Sequence, residues 1–281
     1  MGAGIMAATT KPVRPAPRAD SQILVDVVIP VLNEAHVLEQ SVSTVRTFLA
    51  QNAKWAWRVV IVDNGSVDGT DKVARRLAEA HADVRFLQLP LRGRGRALRQ
   101  AWSQSDADIL CYMDVDLSTE LAALPRLVDG VLHEGYDLGT GSRLLPRSRT
   151  TRSFKREVIS RIYNLIVKAS LRSSFSDAQC GFKVIARYVV QDVVPRIEDE
   201  SWFFDTELLV RAERLGYRIM DLPVEWKEDD DSRVKIAKTA WDDLKGIARL
   251  RLEFWGLSRP AAPRVVPAVS EPSESVNLTP P

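Results

Sequence analysis

The chain has 281 residues, is 45% hydrophobic and 27% charged, and carries a formal net charge of +2, the profile of a globular chain with an ordinary apolar core. That balance gives no general affinity for nucleic acid. Two cysteines far apart in sequence (Cys111, Cys180) and three histidines supply neither a disulfide framework nor a zinc site, and they fit a reducing compartment.

No run reaches the roughly 18 to 20 apolar residues that span a bilayer, and the N-terminus lacks the apolar region of a signal peptide. Residues 1–22 read as a disordered arm and 258–281 as a disordered Pro-rich tail. Between them lie a folded unit, 23–235, and an amphipathic helix, 236–257. Positive charge is local, in Arg92–Arg99, Arg143–Arg161 and Arg233–Arg251.

Ile23–Pro30 (ILVDVVIP) reads as a buried strand, followed by Asn33-Glu34 and a helical pattern over about His36–Gln51. Trp57–Asp63 is a second strand, breaking into NGSVDGT before a helix over Asp71–Ala80. Val84–Leu89 is a third, followed by the basic loop LRGRGRAL and a helix to Ser103. Ile109–Met113 is a fourth strand, at whose end stand Asp114 and Asp116. Strands alternating with helices predict an α/β fold with a mostly parallel sheet. Ligands collect at the carboxyl ends of such strands, where Pro30–Glu34, Asp63–Thr70 and Asp114–Thr119 all fall.

In extended chain, Asp114 and Asp116 point to one side. Two such carboxylates suit Mg²⁺ or Mn²⁺, which complete their shells with water and phosphates; an Asp-rich turn that merely ends the strand is the plainer alternative. Asp63 can accept from a ribose or base edge, whereas Asp68 and Thr70 serve equally as helix caps. No G-x-G-x-x-G follows the first strand and no phosphate-binding P-loop occurs, which argues against a dinucleotide dehydrogenase. Arg94, in the Gly-Arg loop, could meet a diphosphate or simply be solvated.

Past Asp116 the alternation lapses. GTGSR delivers Arg143 after a strand, and Thr151–Leu171 reads as an amphipathic helix with Arg152, Arg156 and Ser160 on one face and Val158, Ile162, Leu165 and Ile166 in an apolar stripe. A basic and a greasy face suit a phosphate on an isoprenoid tail; a surface helix with solvated arginines is the alternative. Trp202–Arg214 forms a helix carrying Asp205 and Glu207, Pro223–Trp226 a late strand, and Ile236–Leu257 a last helix that could lie in a bilayer interface or on the core.

Taken in order, VVIPVLNE, VIVDNGSVDGT, RGRGRAL, MDVDLST, GSR, DAQCGFK and WFFDTELLVRAERLGYRIMDLPVEWKE resemble the family-2 glycosyltransferases, and among them the dolichyl-phosphate (polyprenyl-phosphate) glucosyl- and mannosyltransferases, over about Val25–Lys235. The resemblance implies a GT-A fold (a Rossmann-like sheet flanked by helices), an inverting mechanism, a nucleotide-sugar donor, and Mg²⁺ or Mn²⁺ at Asp114 and Asp116. It implies donor contacts from Pro30, Asn33, Glu34, Asp63, Arg94 and Asp205, and acceptor-phosphate contacts from Arg143, Arg156 and Ser160. Asp177 would position sugar or acceptor, with base catalysis the weaker role, because a phosphate is already ionised. An acidic run, 228–231, replaces the family's usual Gly-Ser-Lys turn, leaving Arg233 and Lys235 as candidates for a diphosphate clamp.

DAQCGFK resembles the glucosyl enzymes and favours UDP-glucose, with GDP-mannose open. The implied acceptor is a polyprenyl or dolichyl phosphate, at a peripheral site on the cytoplasmic face of a membrane. The alternatives are a soluble family-2 enzyme acting on a saccharide hydroxyl and a non-catalytic nucleotide-sugar-binding subunit.

Overall fold

In the computed structural model, which describes residues 14–16, 18–227 and 236–255, the first half folds as its alternation predicts. Strands β1 (Leu24–Val31), β2 (Ala56–Asn64), β3 (Val84–Leu89) and β4 (Ile109–Met113) are joined by helices α1 (Leu38–Asn52), α2 (Thr70–Ala80) and α3 (Arg94–Gln104). There follow α4 (Ala123–His133), β5 (Leu138–Ser142), β6 (Arg149–Thr151), α5 (Phe154–Leu171), β7 (Phe182–Ala186), α6 (Arg187–Val193), α7 (Phe204–Arg214), β8 (Ile219–Pro223), β9 (Glu225–Lys227) and α8 (Ile236–Glu253).

Seven strands make one sheet in the order β3-β2-β1-β4-β7-β5-β8. All pair in parallel except β7, which runs antiparallel to both β4 and β5. The chain winds from β1 to β2 and β3, then returns to lay β4 on the other side of β1. That reversal opens a crevice above the carboxyl ends of β1 and β4, where ligands of doubly wound sheets bind. Strands buried on both faces read as continuous apolar runs, and β4 is buried at all five positions.

Three expectations change. Arg94 and Arg96 belong to the first turn of α3, not to a loop. Thr151 pairs with Lys227 in the small β6–β9 ladder, so α5 begins only at Phe154 and Arg152 precedes it, off the face shared by Arg156 and Ser160. The strand β7 has no counterpart in the alternation, because Lys183 interrupts its apolar run. Of the N-terminal stretch, Asp20–Gln22 forms a single 3-10 turn and Arg18 pairs with Asp108. Residues 1–13 and the tail from 256 lie outside the described residues, as do Arg233 and Lys235.

Helix α8 is held on one side by charge and shape. Arg249 donates to Glu207 at 2.6 and 3.1 Å, and Arg211 donates to Glu253 at 2.7 and 2.8 Å. Glu207 is fully buried, so this pairing compensates its desolvation. Gly246 lets the helix backbone press on Phe203: a Cβ there would lie 2.4 Å from the ring. Gly246→Val should therefore overpack this seam and cost about 1–3 kcal/mol, read as a lower denaturation midpoint with the far-ultraviolet spectrum retained. An unchanged midpoint would mean that α8 does not seat on Phe203.

Candidate active site

The donor side is built by turns that bond one another. Asn33 adopts a left-handed conformation (φ 58) after β1, and its side-chain oxygen accepts the Val67 amide at 2.8 Å. Its own amide donates to Ser66 Oγ at 2.8 Å, and the Glu34 amide donates to Thr70 Oγ1 at 2.8 Å. Thr70 donates in turn to Asp68 at 2.5 Å from its hydroxyl and 3.0 Å from its amide. Burial works to raise the Asp68 carboxyl, but these bonds hold it below its ordinary value. Asp68 and Thr70 thus fasten the two turns to each other, while the N-cap position of α2 is Gly69 and no side chain caps that helix.

Pro30 sits half-buried within β1 opposite Val62, one step from the Val31–Asp63 register pair. Asp63 is buried; its Oδ1 accepts the Ser66 amide at 3.1 Å, and its Oδ2 has no hydrogen-bond partner among the described residues. A buried acceptor left open in this way is costly unless a ligand donor fills it. Beside it, Asn64 donates to the Val31 carbonyl at 2.7 Å and accepts the Gly93 amide at 3.2 Å, stitching β1 and β2 to the start of α3.

At the end of β4, Asp114 is half-buried and Asp116 exposed. Arg94 reaches across from α3, with Nη2 2.9 Å from Asp114 and Nη1 3.1 Å from Asp205. Its guanidinium carbon stands 4.9 Å from the Trp202 ring centre and 5.1 Å from that of Tyr112. Beneath it, Lys183 is fully buried, donating to the Cys180 carbonyl at 2.6 Å and lying 3.0 Å from Asp205. The Tyr112 hydroxyl donates to Asp205; burial pushes that hydroxyl far above its ordinary pKa and keeps its proton in place. Asp205 is therefore an internal anchor for Arg94 and Lys183, not an exposed sugar contact. Burial pushes the Asp114 carboxyl upward against the opposing pull of Arg94, and Asp116 and Asp205 add to the rise.

The residues present fit a hard divalent cation. Among the described residues no three His, Cys, Asp or Glu side chains gather at one point. A cation here would rest on Asp114 and Asp116 and take its other ligands from phosphates and water, as Mg²⁺ and Mn²⁺ do. The space is kept by Gly181, where a Cβ would fall 1.8 Å from Asp114 Oδ2.

Across the crevice, Arg143 follows β5 and Asp177 lies fully buried beneath it. Asp177 Oδ2 accepts the Arg143 amide at 3.1 Å and Nε at 2.7 Å; Oδ1 accepts Nη2 at 3.0 Å and the Gln179 amide at 3.2 Å. Burial alone would raise this carboxyl, but Arg143 overrides it and holds it at about 2. A carboxylate so saturated makes a poor base, and the structure gives Asp177 the work of aiming Arg143. Trp226, on β9, carries Arg143 at 5.5 Å and Arg152 at 6.0 Å from its ring centre. Arg152 also donates to Glu157 at 2.6 Å.

On α5 the Ser160 hydroxyl oxygen is buried without a hydrogen-bond partner among the described residues, and Arg156 is half-buried one turn earlier. Asn164 donates to the Ser160 carbonyl at 2.9 Å and accepts the Ala178 amide at 2.8 Å, joining this side of the helix to the Asp177 segment. Sequence reading overlooked Tyr112, Lys183, Trp202, Trp226 and Asn64. A signal existed for one of them: Lys183 is a lone charge within a five-residue strand buried at every position.

These features belong with what comparison finds. The family model "Glycosyl transferase family 2" matches residues 26–194, and the chain belongs to that family. Glycosyltransferase AglD of Haloferax volcanii is 37% identical over 247 residues, covering 86% of this chain but only 38% of that protein's length. The dolichyl-phosphate beta-glucosyltransferase of Drosophila melanogaster is 30% identical, covering 74% of this chain and 68% of the relative; that of Saccharomyces cerevisiae is 27% identical, covering 84% and 76%. Among solved structures, the fold resembles glucosyl-3-phosphoglycerate synthase of Mycobacterium tuberculosis, crystallised with Mn²⁺, UDP-glucose and phosphoglyceric acid. The TM-score is 0.63 and the identity 19%, over 86% of each chain. The likeness bears out the GT-A architecture.

Two outcomes test the site. Gly181→Ala should displace Asp114 and lower glycosyl transfer at least tenfold while leaving the denaturation midpoint within a few degrees; full activity would show that the space beside Asp114 is not used. Asp177, held at about 2 against an ordinary 3.8, stabilises the fold above about pH 4, and that contribution is lost as pH falls through about 2. Asp177→Asn should remove this acid-side dependence in denaturation curves and cripple turnover at every pH. If it instead removed a single ionisation from the pH–rate profile between about 4 and 7, Asp177 would be the base.

Proposed function

We propose that the chain transfers a hexose, glucose from UDP-glucose, to the phosphate of a polyprenyl or dolichyl phosphate, with inversion at the anomeric carbon. The observation that carries this reading is the pairing of two unlike walls across one crevice: carboxylates at β2 and β4, and arginines at β5 and α5. Relatives named as dolichyl-phosphate beta-glucosyltransferases support the sugar and the acceptor.

Asp63 offers its open, buried Oδ2 to a donor group on the nucleoside. Pro30, Asn33 and Glu34 shape the same wall, and Arg94 holds Asp114 in register with Asp116. Arg233 and Lys235, outside the described residues, remain candidates for the diphosphate clamp. Mg²⁺ or Mn²⁺ on Asp114 and Asp116 would act as a Lewis acid, neutralising charge on the departing diphosphate.

Arg143, Arg156 and Ser160 aim a phosphate oxygen at the anomeric carbon from the opposite side, a placement that lowers the entropic part of the barrier. That oxygen bonds to the carbon as the bond to the nucleoside diphosphate breaks and the diphosphate leaves with the electron pair. An α-linked donor gives a β-linked lipid-phosphate sugar. The nucleophile is already ionised, which accords with an acceptor wall whose acid, Asp177, is saturated by hydrogen bonds. The site would work at the cytoplasmic face of a membrane; among the described residues no helix is long and apolar enough to cross one.

The test is transfer from labelled UDP-glucose and GDP-mannose, with Mg²⁺ or Mn²⁺, to polyprenyl phosphate or to free saccharides. Chloroform-soluble glucose that depends on polyprenyl phosphate and disappears with chelator or with Asp114→Ala is the expected result. Mannose transfer would revise the donor, lipid-independent transfer to a saccharide hydroxyl the acceptor, and no transfer with any sugar would leave a binding subunit.

A further inference from the structure

Three consecutive aromatic residues lead into α7, and they part ways. Phe203 and Phe204 are each 1% exposed, whereas Trp202 stays 40% exposed. Backbone bonds fix its place. Asp199 accepts the amides of Ser201 at 2.7 Å and Phe204 at 3.0 Å, and Glu207 accepts those of Glu198 and Asp199 at 3.1 Å each. The Glu200 carbonyl accepts the Arg96 amide at 3.1 Å, and Gly93 makes room for it: a Cβ there would fall 2.5 Å from that oxygen. The segment is thus clamped onto the first turn of α3, at the carboxyl edge of the sheet where the crevice opens.

A single exposed ring is ordinary on a protein surface; this one is set apart by what lies behind it. The Arg94 guanidinium carbon stands 4.9 Å from its centre, and a nitrogen of the same guanidinium lies 2.9 Å from Asp114. The indole therefore continues the wall that begins at Asp114, one guanidinium further from the two acids. A hexose joined to a diphosphate at Asp114 and Asp116 has its C1 end at those acids and its C4 end farther off. A pyranose presents an apolar C–H face inside a rim of hydroxyls, a shape that suits a flat aromatic surface beside a few polar groups.

We infer that Trp202 is a specificity-determining residue, its ring the platform on which the C4 end of the donor hexose lies. In glucose the 4-hydroxyl is equatorial and that face stays flat. In the C4 epimer, galactose, the hydroxyl is axial; it lifts the sugar from the ring and is left facing carbon without a partner. The bonds of Arg94 to Asp114 and Asp205 do not require the indole, so its loss is felt by the sugar and not by the nucleotide. This role rests on the UDP-hexose donor proposed above.

The test is calorimetric titration of the full-length parent, Trp202→Phe and Trp202→Leu with UDP, UDP-glucose and UDP-galactose in the presence of Mn²⁺. The parent should bind UDP-glucose roughly tenfold more tightly than UDP-galactose. Trp202→Leu, which keeps apolar bulk over Arg94, should weaken UDP-glucose by about tenfold, bring the two epimers close together and leave UDP unchanged. Trp202→Phe, which keeps a flat ring, should stay near the parent with all three. Equal loss of UDP and UDP-glucose in Trp202→Leu would overturn the proposal, because the ring would then act only through Arg94 and Asp114. So would unchanged UDP-glucose binding in that variant, a parent that binds both epimers equally, or a parent that binds no nucleotide sugar. A sugar-only loss seen instead with GDP-mannose against GDP, in a parent that ignores UDP-glucose, would keep the platform and sink glucose as the donor. The expected binding pattern without transfer to any acceptor would keep the platform and sink the proposed reaction.

Discussion

Arg94 shares its guanidinium between Asp114 and Asp205, and most of the donor half depends on that bridge. Asp205 is almost fully buried and faces Lys183 and Tyr112 as well. A buried carboxylate without such partners would be too costly to keep ionised. The cluster thus joins α3, β4, β7 and α7 through charge as well as packing, and its outermost member is the first acid of the D-x-D pair. The position of Asp114 follows from four elements meeting, not from the local turn alone.

The two walls of the crevice treat their acids in opposite ways. On the donor wall Asp63 keeps an open oxygen and Asp116 faces solvent, so both can receive something from outside. On the acceptor wall Asp177 takes four hydrogen bonds and is held at about 2, leaving the arginine above it as the group that faces the crevice. One wall suits a cation and a nucleoside, the other an anion. An acceptor that arrives already charged needs placement more than deprotonation, and the site is built for placement.

Hydrophobic periodicity marked the stripes of α5 and α8 but could not say which way each stripe looks. A period of 3.6 residues is the same whether the apolar side packs on a core or faces outward. On α5 the fully buried contacts come from Asn164, Val167 and Leu171; Ile166 of the predicted stripe packs partly on the core, and Val158, Ile162 and Leu165 are left outside. On α8 the pairing of Arg249 with Glu207 and the approach of Gly246 to Phe203 select the inner side.

The chain alone determined what local physics governs. Four strands and their helices follow from apolar runs, turn residues and alternation, and Asp63, Asp114 and Asp116 follow from standing at strand ends. The tertiary structure alone decided what depends on distant partners. It inserted β7 antiparallel between β4 and β5, drew Thr151 out of a helix into a ladder with Lys227, and placed Lys183 and Tyr112 under Arg94. It also turned Asp177 inward to Arg143. Strand pairing and buried ion pairs join residues tens of positions apart, and their free energy exists only once burial removes water from both partners at once, so no single stretch of sequence carries it.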